Sequence, residues 1–116
     1  MVRKQAQQDV EIRSGMQGGK GDVSLRSLLT GPEEMNGKGR LFKLITVPVG
    51  GSIGYHVHEG ESETFYIAAG SGIFDDNGTP QPFTAGDVLY TPPGHGHSVQ
   101  NTGDVPVEMV AMILYA

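Results

Sequence analysis

Residues 50–70, GGSIGYHVHEGESETFYIAAG, hold the pattern that decides both the fold and the chemistry of this chain. His56 and His58 are two residues apart, and side chains at that spacing on a β-strand point to the same side. Glu63 follows a short polar turn, which places it at the start of a strand that returns beside the first. His97 arrives from a later part of the chain. Three imidazoles and one carboxylate predict a transition-metal site with His56, His58, Glu63 and His97 as its ligands.

Glycine, proline and asparagine residues frame these four ligands at regular intervals. The first stretch reads Gly50, five residues, His-x-His, four residues, Glu63, six residues, Gly70. The second reads Gly86, five residues, Pro-x-Gly, two residues, His97, three residues, Asn101. Both stretches resemble the two signature motifs of the cupin superfamily at every fixed position. The framework positions that match are Gly50, Gly70, Gly86, Pro92, Gly94 and Asn101.

The resemblance implies an all-β fold, the double-stranded β-helix or jelly-roll barrel of the cupins, with a metal inside it. It also implies that His56, His58, Glu63 and His97 are the metal ligands. By the same resemblance a divalent transition metal, manganese or iron first, is expected as the cofactor, although zinc, nickel, cobalt and copper accept the same donors. The pair Asn77-Gly78 separately predicts a type I′ hairpin.

Among cupins, the chain is most similar to small single-domain proteins described as oxalate decarboxylase-like or oxalate-binding. The similarity extends to Gly39-Arg40-Leu41-Phe42 and to Ser52-Ile53-Gly54-Tyr55-His56. In true oxalate decarboxylases an arginine stands three residues before the first ligand histidine, where this chain has Ile53. That departure weighs against decarboxylation and leaves the binding of a small dicarboxylate open.

His95, two residues before His97, is the candidate catalytic residue, as a proton-transfer group at the mouth of the barrel. A solvent-exposed side chain beside the Pro-Gly bend is the alternative for this histidine. Solvation is also the expected state of Glu59 and Glu61, which lie in the polar turn.

Strand alternation predicts which neighbours share the pocket with the ligands. Ser52 and Gly54 should lie on the inner face with His56, and Phe65 and Ile67 should follow Glu63 inward. The resulting lining is mostly apolar, with no arginine to bind a carboxylate. Arg40 could reach the pocket only if its face of the strand turns inward, and the apolar residues on both faces of that strand leave this undecided.

Three kinds of function stay open. The first is a metal-dependent enzyme acting on a small carboxylate or other oxygen-rich molecule by oxalate decarboxylase-like or dioxygenase-like chemistry. The second is a binding or sensing cupin that uses the same pocket without turnover, and a sugar isomerase- or epimerase-like cupin is the third. An ordered proton-transfer group beside the open coordination positions favours catalysis, and its absence favours binding.

No apolar stretch is long enough for a signal peptide, so a cytoplasmic protein is the default expectation, and the resemblance to cupins implies a small-molecule ligand. The formal net charge of -5 argues against a nucleic-acid partner, and no apolar stretch predicts a membrane span. We divide the chain into a polar N-terminal segment, residues 1–22, and a single cupin domain, residues 23–116. An apolar content of 37% is low for so small a core, so we expect additional burial in a homodimer.

Overall fold

Short strands joined by glycine- and proline-containing turns build two antiparallel sheets. The computed structural model describes all 116 residues. The strands are β1 (Val10–Ser14), β2 (Asp22–Ser27), β3 (Gly39–Val47), β4 (Ser52–Val57), β5 (Glu61–Ala69), β6 (Ser71–Asp76), β7 (Thr79–Thr84), β8 (Val88–Thr91), β9 (Gly96–Asn101) and β10 (Val107–Tyr115). One short helix, α1 (Gly31–Glu34), and two 3-10 turns, Gln5–Gln7 and Met16–Gly18, complete the chain. No helix has the length and apolar character that a membrane crossing requires.

The two sheets enclose one apolar core, as the predicted jelly roll requires. The larger sheet has the order β1-β2-β3-β10-β5-β8, and the smaller has the order β4-β9-β6-β7. β10 lies in the middle of the larger sheet, and its alternate residues Val107, Met109, Ala111 and Ile113 are buried. Period-two alternation therefore separates an inner from an outer face, and the predicted all-β architecture is confirmed.

Two strands at the edges of the sheets have features that are unusual in a strand. β7 contains Pro80 and Pro82, which cannot donate backbone hydrogen bonds, and its place at the end of the smaller sheet accommodates both. β1 is fully exposed and pairs with β2 at the edge of the larger sheet. The division of the chain at residue 22 stays a prediction, although β1 extends the same sheet as the strands that follow it.

The Asn77-Gly78 turn joins β6 to β7 as predicted. Asp76 pairs with Thr79, so that only two residues form the turn. The φ angles are 50° at Asn77 and 99° at Gly78, and a type I′ turn needs positive values at both positions.

Asn101, at the end of β9, ties three parts of the barrel together. Its side-chain amide donates to the carbonyls of Val47 (3.1 Å), Pro48 (3.2 Å) and Val105 (3.0 Å). Its side-chain oxygen accepts from the backbone N–H of Gly103 at 3.0 Å. Because Asn101 is 3% exposed, water cannot easily replace these partners.

We predict that Asn101→Ala lowers the free energy of unfolding by about 2–4 kcal/mol, because buried backbone groups lose their partners. Gln100→Ala is the matched control, since Gln100 is the exposed neighbour on the same strand and should change stability by less than about 0.5 kcal/mol. Urea denaturation followed by circular dichroism measures both. Equal stability of the two variants would contradict the role given to Asn101.

Candidate metal centre

The four predicted ligands lie on neighbouring strands and point to a common position between the sheets. His56 on β4 is directly opposite His97 on β9. His58 follows the last residue of β4, and Glu63 lies on β5 in the other sheet. Because each sheet supplies part of the set, only the closed barrel brings the four side chains together.

A β-bulge in β4 turns the histidines inward. Ile53 pairs with Val99 and His56 pairs with His97, so β4 advances three residues while β9 advances two. Ile53 therefore shares the inner face with His56 and is 2% exposed. The expectation that Ser52 and Gly54 face inward is wrong, because it assumed unbroken alternation.

Both residues contact the N-terminal loop instead. The Ser52 hydroxyl accepts from the backbone N–H of Lys20 at 3.0 Å. A Cβ atom on Gly54 would collide with the carbonyl oxygen of Gln17. Glycine is therefore needed at position 54 so that the loop can pack against the bulge. Phe65 and Ile67, by contrast, are buried on the inner face as predicted.

The donor atoms of the four side chains converge. Nε2 of His97 lies 3.1 Å from Nε2 of His58, 3.2 Å from Nε2 of His56 and 3.1 Å from Oε1 of Glu63. Oε1 of Glu63 is also 3.0 Å from Nε2 of His58, and all four atoms lie within 4.8 Å of one another. An octahedral ion with ligands at about 2.1 Å holds adjacent donors about 3.0 Å apart. The four residues could therefore hold one transition-metal ion.

Two of the imidazoles are oriented by oxygen atoms on their outer side. Nδ1 of His56 is 2.8 Å from the carbonyl oxygen of Gly54, and Nδ1 of His58 is 3.0 Å from Oε1 of Glu61. These oxygens only accept hydrogen bonds, so each Nδ1 carries the proton and donates it. In the neutral imidazole Nε2 is then unprotonated and its lone pair faces the common centre, which is the state that a metal ligand needs.

His97 is held more deeply. It is 1% exposed, and its Nδ1 hydrogen-bonds to the hydroxyl of Thr91 at 2.7 Å. Its ring stacks on Phe65 with centroids 5.3 Å apart, and the edge of Phe74 packs against it. These contacts fix the ring plane. Thr91 was not identified from the sequence, although its inward position beside Leu89 on β8 follows from alternation.

Electrostatics keeps the carboxylate of the cluster charged. Burial raises the pKa of Glu63, but hydrogen bonds from His58 and His97 outweigh burial and the net pKa is lowered. The hydrogen bond with Glu63 is the main cause that raises the pKa of His58. Burial lowers this pKa in part, and the hydrogen bond with Glu61 raises it further. Burial lowers the pKa of His56. A proton on His58 therefore competes with a metal ion for the same nitrogen.

Glu61 connects the cluster to Arg40. Nε and Nη2 of Arg40 each donate to a different carboxylate oxygen of Glu61 at 2.6 Å. The hydrogen bond with Arg40 is the main cause that lowers the pKa of Glu61 to about 2, so its carboxylate is ionised where it accepts from His58. The Glu61 side chain is 12% exposed, and the expectation that it is a solvated turn residue is wrong. Glu59 is exposed, as expected.

A cavity of about 320 Å³ adjoins the donor atoms. Its wall contains three cationic side chains, Arg13, Arg40 and Lys43, and the carboxylate of Glu61. The other lining residues outside the metal cluster are Met16, Gln17, Leu41, Ile45, Val57 and Ile113. The predicted apolar lining without an arginine is therefore wrong. The cations come from β1 and β3, which are far from the histidines in sequence.

A second bulge explains the position of Arg40. Ile113 on β10 pairs with Leu41, and the next residue, Leu114, pairs with Gly39, so Arg40 has no residue opposite it. A bulged residue leaves the alternation of its strand and its side chain is redirected. Arg40 thus reaches the cavity although Leu41 lines the same cavity from the neighbouring position. The sequence left the orientation of Arg40 undecided, and this bulge explains why its side chain reaches the cavity.

His95 contributes its backbone to the site and not its side chain. The N–H of His58 donates to the carbonyl oxygen of His95 at 3.0 Å, and the N–H of Gly94 donates to the carbonyl oxygen of His58 at 2.7 Å. The imidazole of His95 is exposed and does not line the cavity. The geometry gives no support to proton transfer by His95, which stays a prediction.

Comparison with known proteins agrees with the barrel and its cluster. A family model described as the cupin domain matches residues 43–113, which include all four donor residues. The chain is 45% identical over 114 residues to the oxalate-binding protein of Thermotoga maritima, covering 98% of this chain and 93% of that one. The crystal structure of a predicted oxalate decarboxylase from Thermotoga maritima matches with a TM-score of 0.95 and 44% identity over the whole of both chains. A cupin 2 conserved barrel domain protein from Rhodopseudomonas palustris shares the fold, with a TM-score of 0.72, 21% identity, and coverage of 94% of this chain and 72% of that one.

The fold and the cluster together define a small jelly-roll barrel protein with a candidate metal site in its interior. The chain belongs to the cupin family. Within that family it is similar to an oxalate-binding protein, as its motifs indicated.

We predict that Glu61→Gln lowers the pKa of His58 in the metal-free protein. In the folded protein the carboxylates of Glu63 and Glu61 stabilise the protonated ring of His58 and raise its pKa. Loss of the Glu61 charge should therefore shift the titration of His58 to lower pH. NMR titration of the imidazole resonances measures the shift. Glu59→Gln is the control, since Glu59 is exposed and makes no ion pair, and an equal shift in both variants would contradict the contact.

Proposed function

We propose that this protein binds a divalent transition metal through His56, His58, Glu63 and His97 and uses the adjoining cavity to bind a small carboxylate. The observation that carries the proposal is the convergence of four donor atoms whose histidines are oriented from behind by hydrogen bonds. Four protein ligands leave about two positions of an octahedral ion for the oxygens of a bound molecule. When bound, the ion would supply Lewis-acid polarisation of those oxygens.

The cationic wall supports a carboxylate as the ligand. Arg13, Arg40 and Lys43 surround the approach to the cluster in a protein whose formal net charge is -5. Arg13 is paired with Glu11 and Arg40 with Glu61, so the ammonium of Lys43 is the cation left to attract an anion. It does little for a neutral sugar, so the sugar isomerase-like alternative receives less support. The similarity to an oxalate-binding protein favours the same class of ligand.

Binding without turnover is the better supported of the two remaining functions. Decarboxylation of oxalate to formate requires that a proton be delivered to the carbon atom that remains after carbon dioxide leaves. The cavity offers no carboxylic acid suited to this step. Glu61 is paired with Arg40 and has a pKa of about 2, and His95 lies outside the cavity. Decarboxylase-like or dioxygenase-like turnover is kept as the second candidate because the open metal positions suit either reaction.

Manganese or iron is our first expectation for the ion, and zinc, nickel, cobalt and copper accept the same donor set. A cytoplasmic location stays a prediction from composition.

We predict that the protein purified without chelator carries about one equivalent of transition metal per chain, and that His58→Ala and His97→Ala lose it. His95→Ala should keep the metal, since its side chain is exposed and outside the cluster. Inductively coupled plasma mass spectrometry gives the stoichiometry. Unchanged metal content in the first two variants would overturn the ligand assignment.

The same preparations separate binding from turnover. Oxalate titrated into metal-loaded protein in a calorimeter should release heat that is absent for His97→Ala. Formate and carbon dioxide are then assayed after long incubation, and their formation in the metal-loaded protein would replace the binding proposal by the decarboxylase alternative.

We also propose that the outer face of the larger sheet forms a homodimer interface. Five apolar residues on β3, β10, β5 and β8 make a continuous outer sheet patch: Leu44, Val110, Tyr66, Val88 and Tyr90. Val110 is opposite both Leu44 and Tyr66, and Tyr66 is opposite Val88. The exposed fractions are 50% for Tyr66, 63% for Val88 and 55% for Tyr90. A contiguous apolar face on a small barrel is typical of a self-complementary contact with a second copy.

We predict that Tyr66→Lys converts a dimer to a monomer, because a lysine ammonium in the middle of the outer sheet patch would be desolvated without a partner. Sedimentation velocity measures the change in mass. Val49→Lys is the control, since Val49 is 55% exposed in the β3–β4 turn and lies outside the patch. A monomeric wild-type protein, or a dimer that survives Tyr66→Lys, would overturn the interface.

A further inference from the structure

Lys43 is the cation of the cavity wall that has no partner. It lies on the inner face of β3 between Leu41 and Ile45, and it is partly buried. Its ammonium makes no hydrogen bond to another residue and no ion pair.

The two arginines of the wall differ from Lys43 in this respect. Nε of Arg13 donates to Glu11 at 2.7 Å, and Arg40 is held in its two hydrogen bonds to Glu61. Each arginine charge is therefore balanced by its own carboxylate. Lys43 alone has all three of its donors free for another molecule. An anion in the cavity would give this ammonium a direct partner.

Strand register places Lys43 at a distance from the metal cluster. Glu63 lies on β5, Lys43 lies on β3, and β10 separates these two strands. Neighbouring strands are about 4.8 Å apart, so the backbones that bear the two residues are about 10 Å apart. The side chains of Lys43 and Glu63 cover part of this separation, and a ligand with two acidic ends separated by further atoms could span the rest. A cavity of about 320 Å³ is large enough for such a molecule.

We propose that Lys43 binds the second acidic group of a dicarboxylate whose first end coordinates the metal. The inference rests on the proposed metal site. It adds the class of ligand: a 2-hydroxy or 2-oxo dicarboxylate longer than oxalate. The chelating end occupies the open positions of the ion, and the far carboxylate accepts charge-assisted hydrogen bonds from the Lys43 ammonium. Lys43 then determines specificity between dicarboxylates and monocarboxylates that share the same chelating end.

Malate and lactate test this assignment, because both present a 2-hydroxy acid to the metal and only malate has a second carboxylate. Dissociation constants of the two acids are measured by isothermal titration calorimetry with the metal-loaded protein. The wild-type protein should bind malate about tenfold more tightly than lactate, because a difference of this size corresponds to roughly one charge-assisted hydrogen bond. The metal content of every sample is measured in parallel.

Three variants separate a direct contact from a general charge effect. Lys43→Met keeps the length of the side chain and should abolish the preference for malate, because malate affinity falls much further than lactate affinity, while metal content stays unchanged. Lys43→Arg retains the charge and should retain most of the preference. Lys4→Met removes the same charge from an exposed position outside the cavity and should behave as wild type.

The outcomes distinguish this inference from the proposed function. A malate preference that survives Lys43→Met, or equal wild-type affinity for both acids, would overturn the role of Lys43 and leave the metal site intact. A preference lost equally in Lys4→Met would reduce the effect to net charge and also overturn it. A wild-type protein that takes up no metal would overturn the proposed function itself, whereas a metal-loaded protein that binds oxalate and neither of these acids would overturn only the role of Lys43.

Discussion

The interior of this barrel is organised around three imidazoles and a carboxylate whose donor atoms face one another at about 3 Å. Buried polar groups must be partnered, and hydrogen bonds from behind orient all three rings. With protons on Nδ1 of His56 and His58, the lone pairs of their Nε2 atoms face the same position as Nε2 of His97 and the carboxylate of Glu63. A single divalent cation at that position could contact all four atoms at once. The surrounding contacts, from Phe65 behind His97 to Arg40 behind Glu61, maintain that geometry.

Glu61 joins this centre to the ligand cavity. One of its oxygens accepts from His58, and the carboxylate as a whole receives the bidentate hydrogen bonds of Arg40. The orientation of a metal ligand and the charge of the cavity wall therefore depend on the same side chain. A molecule that disturbs Arg40 would act on His58 through two hydrogen bonds, which is a short route between ligand binding and metal affinity.

Two β-bulges decide which residues enter the site. The bulge in β4 brings Ile53 and His56 to the same face, and the bulge at Arg40 turns that arginine toward the cavity. Each inserts one residue into otherwise regular alternation. Bulges are common beside functional sites because they redirect single side chains without disturbing the rest of the sheet.

Most of the fold and the donor set could be predicted from the sequence. His56, His58 and Glu63 stand at intervals that depend on local strand geometry and a tight turn, and the Asn77-Gly78 hairpin depends on two φ angles alone. These features are short-range, so the sequence reveals them directly. His97 comes from a distant part of the chain and was assigned through the resemblance to the second cupin motif. Beyond the Asn77-Gly78 hairpin, the extent of β7 was not predicted, because Pro80 and Pro82 are compatible only with an edge position, which no single stretch of sequence reveals.

The sequence by itself determined a cupin barrel with one cluster of four donors. Only the tertiary structure decided what surrounds that cluster: Thr91 behind His97, Glu61 behind His58, and the cations of β1 and β3 in the cavity wall. The physical reason is that these contacts join residues on different strands, and a one-residue bulge changes which side of a strand faces inward. The character of the pocket therefore depends on strand register, which hydrogen bonding across the closed barrel sets.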